Sequence, residues 1–309
     1  MSPHCPRFVA SLSLIFLIIG CKPDNRASGT DTAAVSPTPV VPVVPPARNT
    51  GWEDSIAGPV ILLANAESLK LASVVYPSLT DSVFAQAGAP AADSLAGMSF
   101  DLFHRSGGTG SARLLSRVGS MSAEGCISWP VVTFEDTVAR VWQAGFQRGV
   151  AKPLPLDSLE NATSADSLSV TTELARLASA LPASNDPAFQ GLPFAVRKAY
   201  RSRIGQTSLL IGDIIRKINE EANPRAEHLL LIAERAPDGA YSTVFHSRSA
   251  GSEEAVRTSD ILAAVRFVKG SRIAIVEMFE YENGNRVALI ERSAGRGWRL
   301  TWRSAYAGC

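Results

Sequence analysis

The chain has almost no surplus of either charge. Its 309 residues carry 30 basic and 29 acidic side chains. Loss of residues 1–20, argued below, removes Arg7 and leaves the two counts equal. That balance speaks against the bulk positive charge typical of a nucleic-acid binder. Lysine is scarce as well, with 6 against 24 arginines. Histidine is scarcer still. Three remain after the first 20 residues, His104, His228 and His246, and none stands in His-x-x-x-His or His-Glu-x-x-His spacing. A sequence-local zinc site is therefore not expected. A Gly-x-Ser-x-Gly elbow and a Ser-x-x-Lys pair are absent, which removes two settings for a nucleophilic serine. Gly107-Gly108-Thr109-Gly110 is glycine-rich, but no Gly-Lys-Ser/Thr follows it, so it reads as a hairpin turn and not a phosphate loop. No catalytic residue, metal or cofactor is expected from these patterns.

Long apolar runs are missing too. The longest, Phe8 to Ile19, is broken by two serines. Twelve helical residues span roughly 18 Å, too short for a ~30 Å hydrocarbon core. With Arg7 ahead of it, the run has the form of a secretory signal and not of a membrane span. It ends in Leu17-Ile18-Ile19-Gly20-Cys21. That pentapeptide resembles the lipobox of bacterial lipoproteins, and the resemblance covers residues 1–21. It implies cleavage before Cys21, diacylation of the Cys21 thiol and a membrane anchor. Two or three acyl chains at ~0.8 kcal/mol per buried CH₂ hold a protein stably. Lys22 in place of Asp favours the outer membrane over the inner one. An envelope protein partner would follow from that location; a nucleic-acid partner is not expected. Residues 21–50 then hold six prolines and little to pack, as in an extended tether reaching up to ~90 Å.

Four cysteines remain to be sorted. Cys5 leaves with the signal and Cys21 is committed to lipid on the lipoprotein reading. Cys126 and Cys309 are left, and an extracytoplasmic compartment favours their oxidation to a disulfide. The loop closed is long enough that the chain-entropy model gives roughly 5 kcal/mol.

From Gly51 onward the composition is globular: 46% of the whole chain is apolar and 19% charged. Period-2 alternation dominates. The expected class is α+β, predominantly antiparallel β, with two meander-like sheets and a small helical insert between them. The expected division is an N-terminal β-rich domain over 51–155, a helical insert with one strand over 156–225, and an antiparallel meander over 226–309. In the insert, Val170, Leu174, Leu177, Ala178 and Leu181 share a helical face, with Ser164 or Asp166 as cap. Leu210–Ile218 fits a second helix, with strand as the alternative. In the C-terminal meander Asn283-Gly284 is a two-residue hairpin signal, which sets Glu277 opposite Ile290 and diagonal to Arg292 as an ion pair. Trp298 and Trp302 fall on one apolar face. Leu102–Gly110 and Leu289–Gly297 echo one another, each a strand running into a glycine-rich turn.

Two function classes stay open. The favoured one is a non-enzymatic, lipid-anchored binding or envelope-assembly protein. The alternative is a membrane-tethered hydrolase whose site forms only in three dimensions. For either, the weak candidates are His104, His246 and the carboxylates Glu253, Glu254 and Asp260 in or beside the longest C-terminal loop. Three carboxylates could hold Ca²⁺, but the alternating Asp/Gly spacing of calcium loops is missing, so a solvated loop is expected.

Overall fold

In the computed structural model the described residues are 51–309, apart from 66–67, 88–89, 91, 120–124, 137, 139–140, 160–162, 220–222, 236, 238 and 294–296. The signal, Cys21 and the tether lie outside them. The described chain is α+β and mostly antiparallel sheet. No helix among the described residues is long and apolar enough to cross a membrane.

Six strands form a closed barrel: β1 (Ile61–Asn65), β2 (Ser68–Val75), β3 (Ser99–His104), β4 (Gly107–Gly119), β5 (Val131–Phe134) and β6 (Ala144–Gln147), in the order β1-β2-β5-β4-β3-β6. Its interior is filled by Leu62, Val74, Phe100, Leu102, Leu114, Val132, Phe134 and Trp142. Closure leaves no unpaired strand edge, and eight large side chains leave no lumen. Two short helices, α1 (Asp54–Ala57) and α2 (Asp81–Ala87), lie outside it.

The remaining strands form two sheets. The first has the order β12-β11-β10-β9-β8, built from β8 (Asp157–Ser158), β9 (Ala195–Ile204), β10 (Thr207–Ile218), β11 (Arg225–Arg235) and β12 (Ser242–Ser252). The second has the order β16-β15-β14-β13-β7, built from β7 (Ala151–Pro153), β13 (Thr258–Phe267), β14 (Ile273–Tyr281), β15 (Gly284–Arg292) and β16 (Trp298–Arg303). A final short strand, β17 (Ala307–Gly308), pairs with β15.

Three cores stack these layers. One face of the first sheet carries α3 (Ser164–Ser179), whose Val170, Leu174, Leu177 and Ala178 pack on Leu210, Ile214, Leu229 and Leu231. Gly212 makes that contact close: a Cβ there would lie 2.6 Å from a Leu174 methyl. The other face meets the second sheet through Leu209, Ile211, Leu230 and Ile232 against Ile261, Ile273, Ile275 and Ile290. The far face of the second sheet, with Ala263, Val265, Phe267, Val276 and Leu289, packs on Ile61, Phe103 and Phe146. The disulfide Cys126–Cys309 is present and spans 183 residues. Beside it Ile127 and Gly308 exchange two main-chain hydrogen bonds, so the bridge ties the chain end to the barrel.

Several local expectations are corrected. Residues 226–309 are not one meander: β11 and β12 belong with β8–β10, and only β13–β17 form the second sheet. The barrel strands end at Gln147, and β7 leaves for the second sheet before residue 155. Leu210–Ile218 is strand β10, not a helix, because both its faces are covered and an apolar run then has no period to read. The cap of α3 is Thr163, whose hydroxyl accepts from the Asp166 N–H. The β14–β15 loop is Glu282-Asn283, with Tyr281 opposite Gly284, so Glu277 faces Ala288 and not Ile290. Gly284 is used for close approach instead of the turn, since a Cβ there would sit 2.3 Å from the Ala307 carbonyl oxygen. Thr301 is an extra residue in the β15–β16 ladder. It rotates the strand, so Trp298 enters the core between the sheets while Trp302 enters the core beside the barrel. The echoing segments are the β3–β4 hairpin of the barrel and the end of β15, in different sheets.

Candidate functional site

Three polar assemblies arise from this layering. The first lies between the two sheets. Asp213 on β10 and His228 on β11 are hydrogen-bonded through His228 Nε2, and both are about 2% exposed. Arg197 on β9 approaches the other Asp213 oxygen at 3.8 Å. From the second sheet Glu277 faces the same core, wholly buried, with Ser259 on the neighbouring strand and Arg257 ahead of β13. Burial pushes the Glu277 carboxyl up to about 7, against the pull of Ser259 and Arg257. Arg257 donates to the Ser247 hydroxyl and stacks on Phe279, 4.2 Å from the ring centre. An acid, a base and a hydroxyl are thus near one another, but no surface cleft reaches them among the described clefts. The expected Glu277–Arg292 pair does not form; Arg292 instead grips Glu234 of the first sheet at 2.6 and 3.0 Å. Trp298 Nε1 donates to the same carboxylate at 2.7 Å.

The second assembly sits where the barrel end of β3 meets both sheets. Asp260 accepts from Lys198 Nζ at 2.7 Å and from Arg105 at 3.2 Å, and Arg105 also donates to the Tyr200 hydroxyl at 2.8 Å. His104 is next in sequence to Arg105, and its Nδ1 lies 2.8 Å from the Ser106 hydroxyl. Burial and the Arg105 charge depress the His104 imidazole below the usual histidine range, with Asp260 opposing. Of the weak candidates, the structure therefore brings His104 and Asp260 into electrostatic range of each other. It does not bring the others to them. His246 is on the α3-side face of β12, where burial and Arg248 lower its pKa. Glu253 pairs with Lys217 on the exposed rim, and Glu254 is exposed beside it. Asp260 is within β13, so the three carboxylates do not form one loop site. Among the described residues no three of His, Cys, Asp and Glu gather closely enough to hold a metal ion.

The third assembly is open to solvent. Residues 181–194 cross the outer face of the first sheet beside α3, and two clefts of about 580 and 550 Å³ lie along this crossing. They share Ser184 and Arg248. Beneath them Glu227, wholly buried, is hydrogen-bonded by Arg216 and approached by Arg248 at 3.6 Å. Arg216 also stacks on Phe194, 4.5 Å from the ring centre, and Arg225 pairs with Asp186. Arg248 NH1 donates to the Pro182 carbonyl at 2.9 Å. Guanidinium groups held in this way are fixed, planar donors. Sequence reasoning missed this face. Its signal was the lone charges in apolar runs, Arg216 after Ile214-Ile215 and Glu227 before Leu229, but they pair only if 210–218 is a strand.

Comparison of the chain with protein-family models, with curated proteins and with solved structures finds no match.

Proposed function

We propose that the protein is a lipid-anchored extracytoplasmic binding protein, held at the membrane by Cys21 and presenting the outer face of its first sheet to an envelope partner. One observation carries the choice of binding over hydrolysis. The acid–base groups Asp213, His228 and Glu277 are sealed between sheets, while the open clefts at 181–194 present fixed guanidinium groups, serines and main-chain carbonyls. Hydrolysis needs its base within reach of a bound substrate; recognition needs preorganised polar donors on an accessible surface. The Cys126–Cys309 bridge supports the compartment, because such bonds persist where the surroundings oxidise thiols. The lipobox supports the anchor and Lys22 an outer-membrane destination.

Two measurements test this reading. Labelled palmitate should enter the wild type and not Cys21→Ala; equal labelling refutes the anchor. A photo-crosslinking side chain at Ser184 should yield one discrete adduct in intact cells, lost with Arg248→Glu. No adduct from correctly anchored protein refutes the binding face.

A further inference from the structure

We propose that a third cleft, at the end of the first sheet away from residues 181–194, is a binding site for a dianionic phosphate group. The inference rests on reading the chain as a binding protein and names a ligand chemistry for it. The cleft measures about 510 Å³ and is lined by Arg201, Arg203, Arg235, Ser208, Tyr241 and Asp157, among others. The ladder places the cations deliberately close. Ser208 lies opposite Arg203 on one side and opposite Arg235 on the other. Neighbouring strands are about 4.8 Å apart, so two guanidinium stems stand roughly 10 Å from each other with a hydroxyl between them. Arg201 is two residues from Arg203 on the same strand, hence on the same face.

Like charges side by side on a sheet repel and destabilise it. Several arginines elsewhere in the fold are answered: Arg105, Arg216, Arg225, Arg286 and Arg292 each meet a carboxylate. Arg201, Arg203 and Arg235 form no ion pair among the described residues. Glu173, which feels the Arg235 charge, is already committed to Arg176 by two hydrogen bonds. Asp157, across the ladder from Arg201, is the one acid among the described lining residues, so these residues carry a surplus of two positive charges. A phosphate dianion matches that surplus and offers tetrahedral acceptors to planar forked donors, whereas one carboxylate leaves it half answered. Arg235 is held by stacking, its guanidinium lying 4.7 Å from the centre of the Tyr241 ring.

The test uses the full chain in zwitterionic detergent, titrated calorimetrically at low salt with inorganic phosphate, glycerol 3-phosphate and acetate. Saturable phosphate binding is expected, falling as salt rises. The triple change R201Q/R203Q/R235Q should weaken it at least tenfold, and Arg203→Gln alone several-fold. The matched triple R148Q/R299Q/R303Q, at exposed sites elsewhere, should change it less than twofold. Binding of both phosphates supports a phosphomonoester; binding of inorganic phosphate alone supports the free ion. Equal loss in the two triples, unaltered binding in the first, or acetate binding as tightly as phosphate overturns the site. Palmitate labelling at Cys21 is independent of all these arms, so a failed site and a failed lipoprotein reading are told apart.

Discussion

The first and second sheets are both built on four-stranded antiparallel meanders, the first with one added strand and the second with two, yet they treat charge in opposite ways. The first buries Asp213, Arg216, Glu227, His228 and Glu234. The second buries an almost unbroken apolar set and only Glu277, Glu291 and Ser259 as polar members. The difference follows from what covers them. The second sheet lies between the first sheet and the barrel, so both its faces are dry. A charge there has few partners and costs much, as the raised Glu277 carboxyl shows. The first sheet has one face only partly covered, by a 16-residue helix and the 181–194 crossing. Arg216 and Glu227 pair across strands on that face, whereas Asp213, His228 and Glu234 face the second sheet and each meets a partner there. The partly covered sheet, not the better packed one, holds most of the buried charge.

The comparison can be broken most forcefully at the covalent tie of the second sheet to the barrel. Replacing Cys126 and Cys309 together by serine should lower unfolding free energy by roughly 5 kcal/mol on the chain-entropy account, an upper figure. Urea denaturation of the oxidised wild type and the double variant measures it. A loss under about 1 kcal/mol would mean that the unfolded chain is barely restrained by the bridge.

A smaller effect is expected at the clamp between the sheets. Glu234→Ala strands the buried Trp298 N–H and leaves the part-buried Arg292 unanswered; removing one partner of a fully buried pair costs about 3–5 kcal/mol, and the partial exposure of Arg292 places the loss at the low end or below it. The indole fluorescence of Trp298 should shift to the red as water enters. An unshifted spectrum and unchanged melting temperature would show that the sheets hold without the clamp.

Glu277 tests the dry side of the comparison by pH. Its folded pKa, about 7, is above the ordinary 4.5. The stabilisation from keeping the proton is full below pH 4.5 and is lost as pH rises through 7. Glu277→Gln removes that dependence. Relative to wild type it should gain on the order of 3 kcal/mol between pH 4.5 and pH 8. Melting curves across that range check the sign, and a variant that tracks the wild type at every pH would contradict a buried protonated carboxyl.

The mildest effect is expected where α3 meets the first sheet. Gly212→Val pushes a branched side chain into Leu174, and overpacking of this kind costs about 1–3 kcal/mol. Hydrogen exchange should rise in Ser164–Ser179 and not in the second sheet. Uniform change across both sheets would mean that the two meanders unfold as one unit.

Much of the strand inventory was legible because half-covered strands alternate. Thr243 and Phe245 announce β12, while β14, covered on both faces, was legible from the turns Gly270-Ser271 and Asn283-Gly284 on either side. The α3 face was legible for the same reason at a period of 3.6. What failed were positions where covering removes the pattern, as in β10, or where one residue changes the register. Gly284 carried a turn signature but serves the approach of Ala307, and Thr301 separated two tryptophans that simple alternation puts together. The site was less legible than the fold. His104 and Asp260 were named from sequence for unrelated reasons and turn out to share a cluster through Arg105, 155 residues from Asp260 along the chain.

The sequence by itself determined what depends on local order along the chain. That covers the antiparallel, β-rich class, the amphipathic helix, and the choice of Cys126 and Cys309 as partners once the other two cysteines were assigned. Tertiary structure alone decided which strands share a sheet, which face each arginine takes, and which charges are answered. Those outcomes depend on ladder register and on how layers cover one another, and both are set by contacts between residues far apart in the chain. A shift of two residues moved Glu277 from a paired place to a dry one; the register of β9, β10 and β11 set three arginines together beside a single described carboxylate, Asp157.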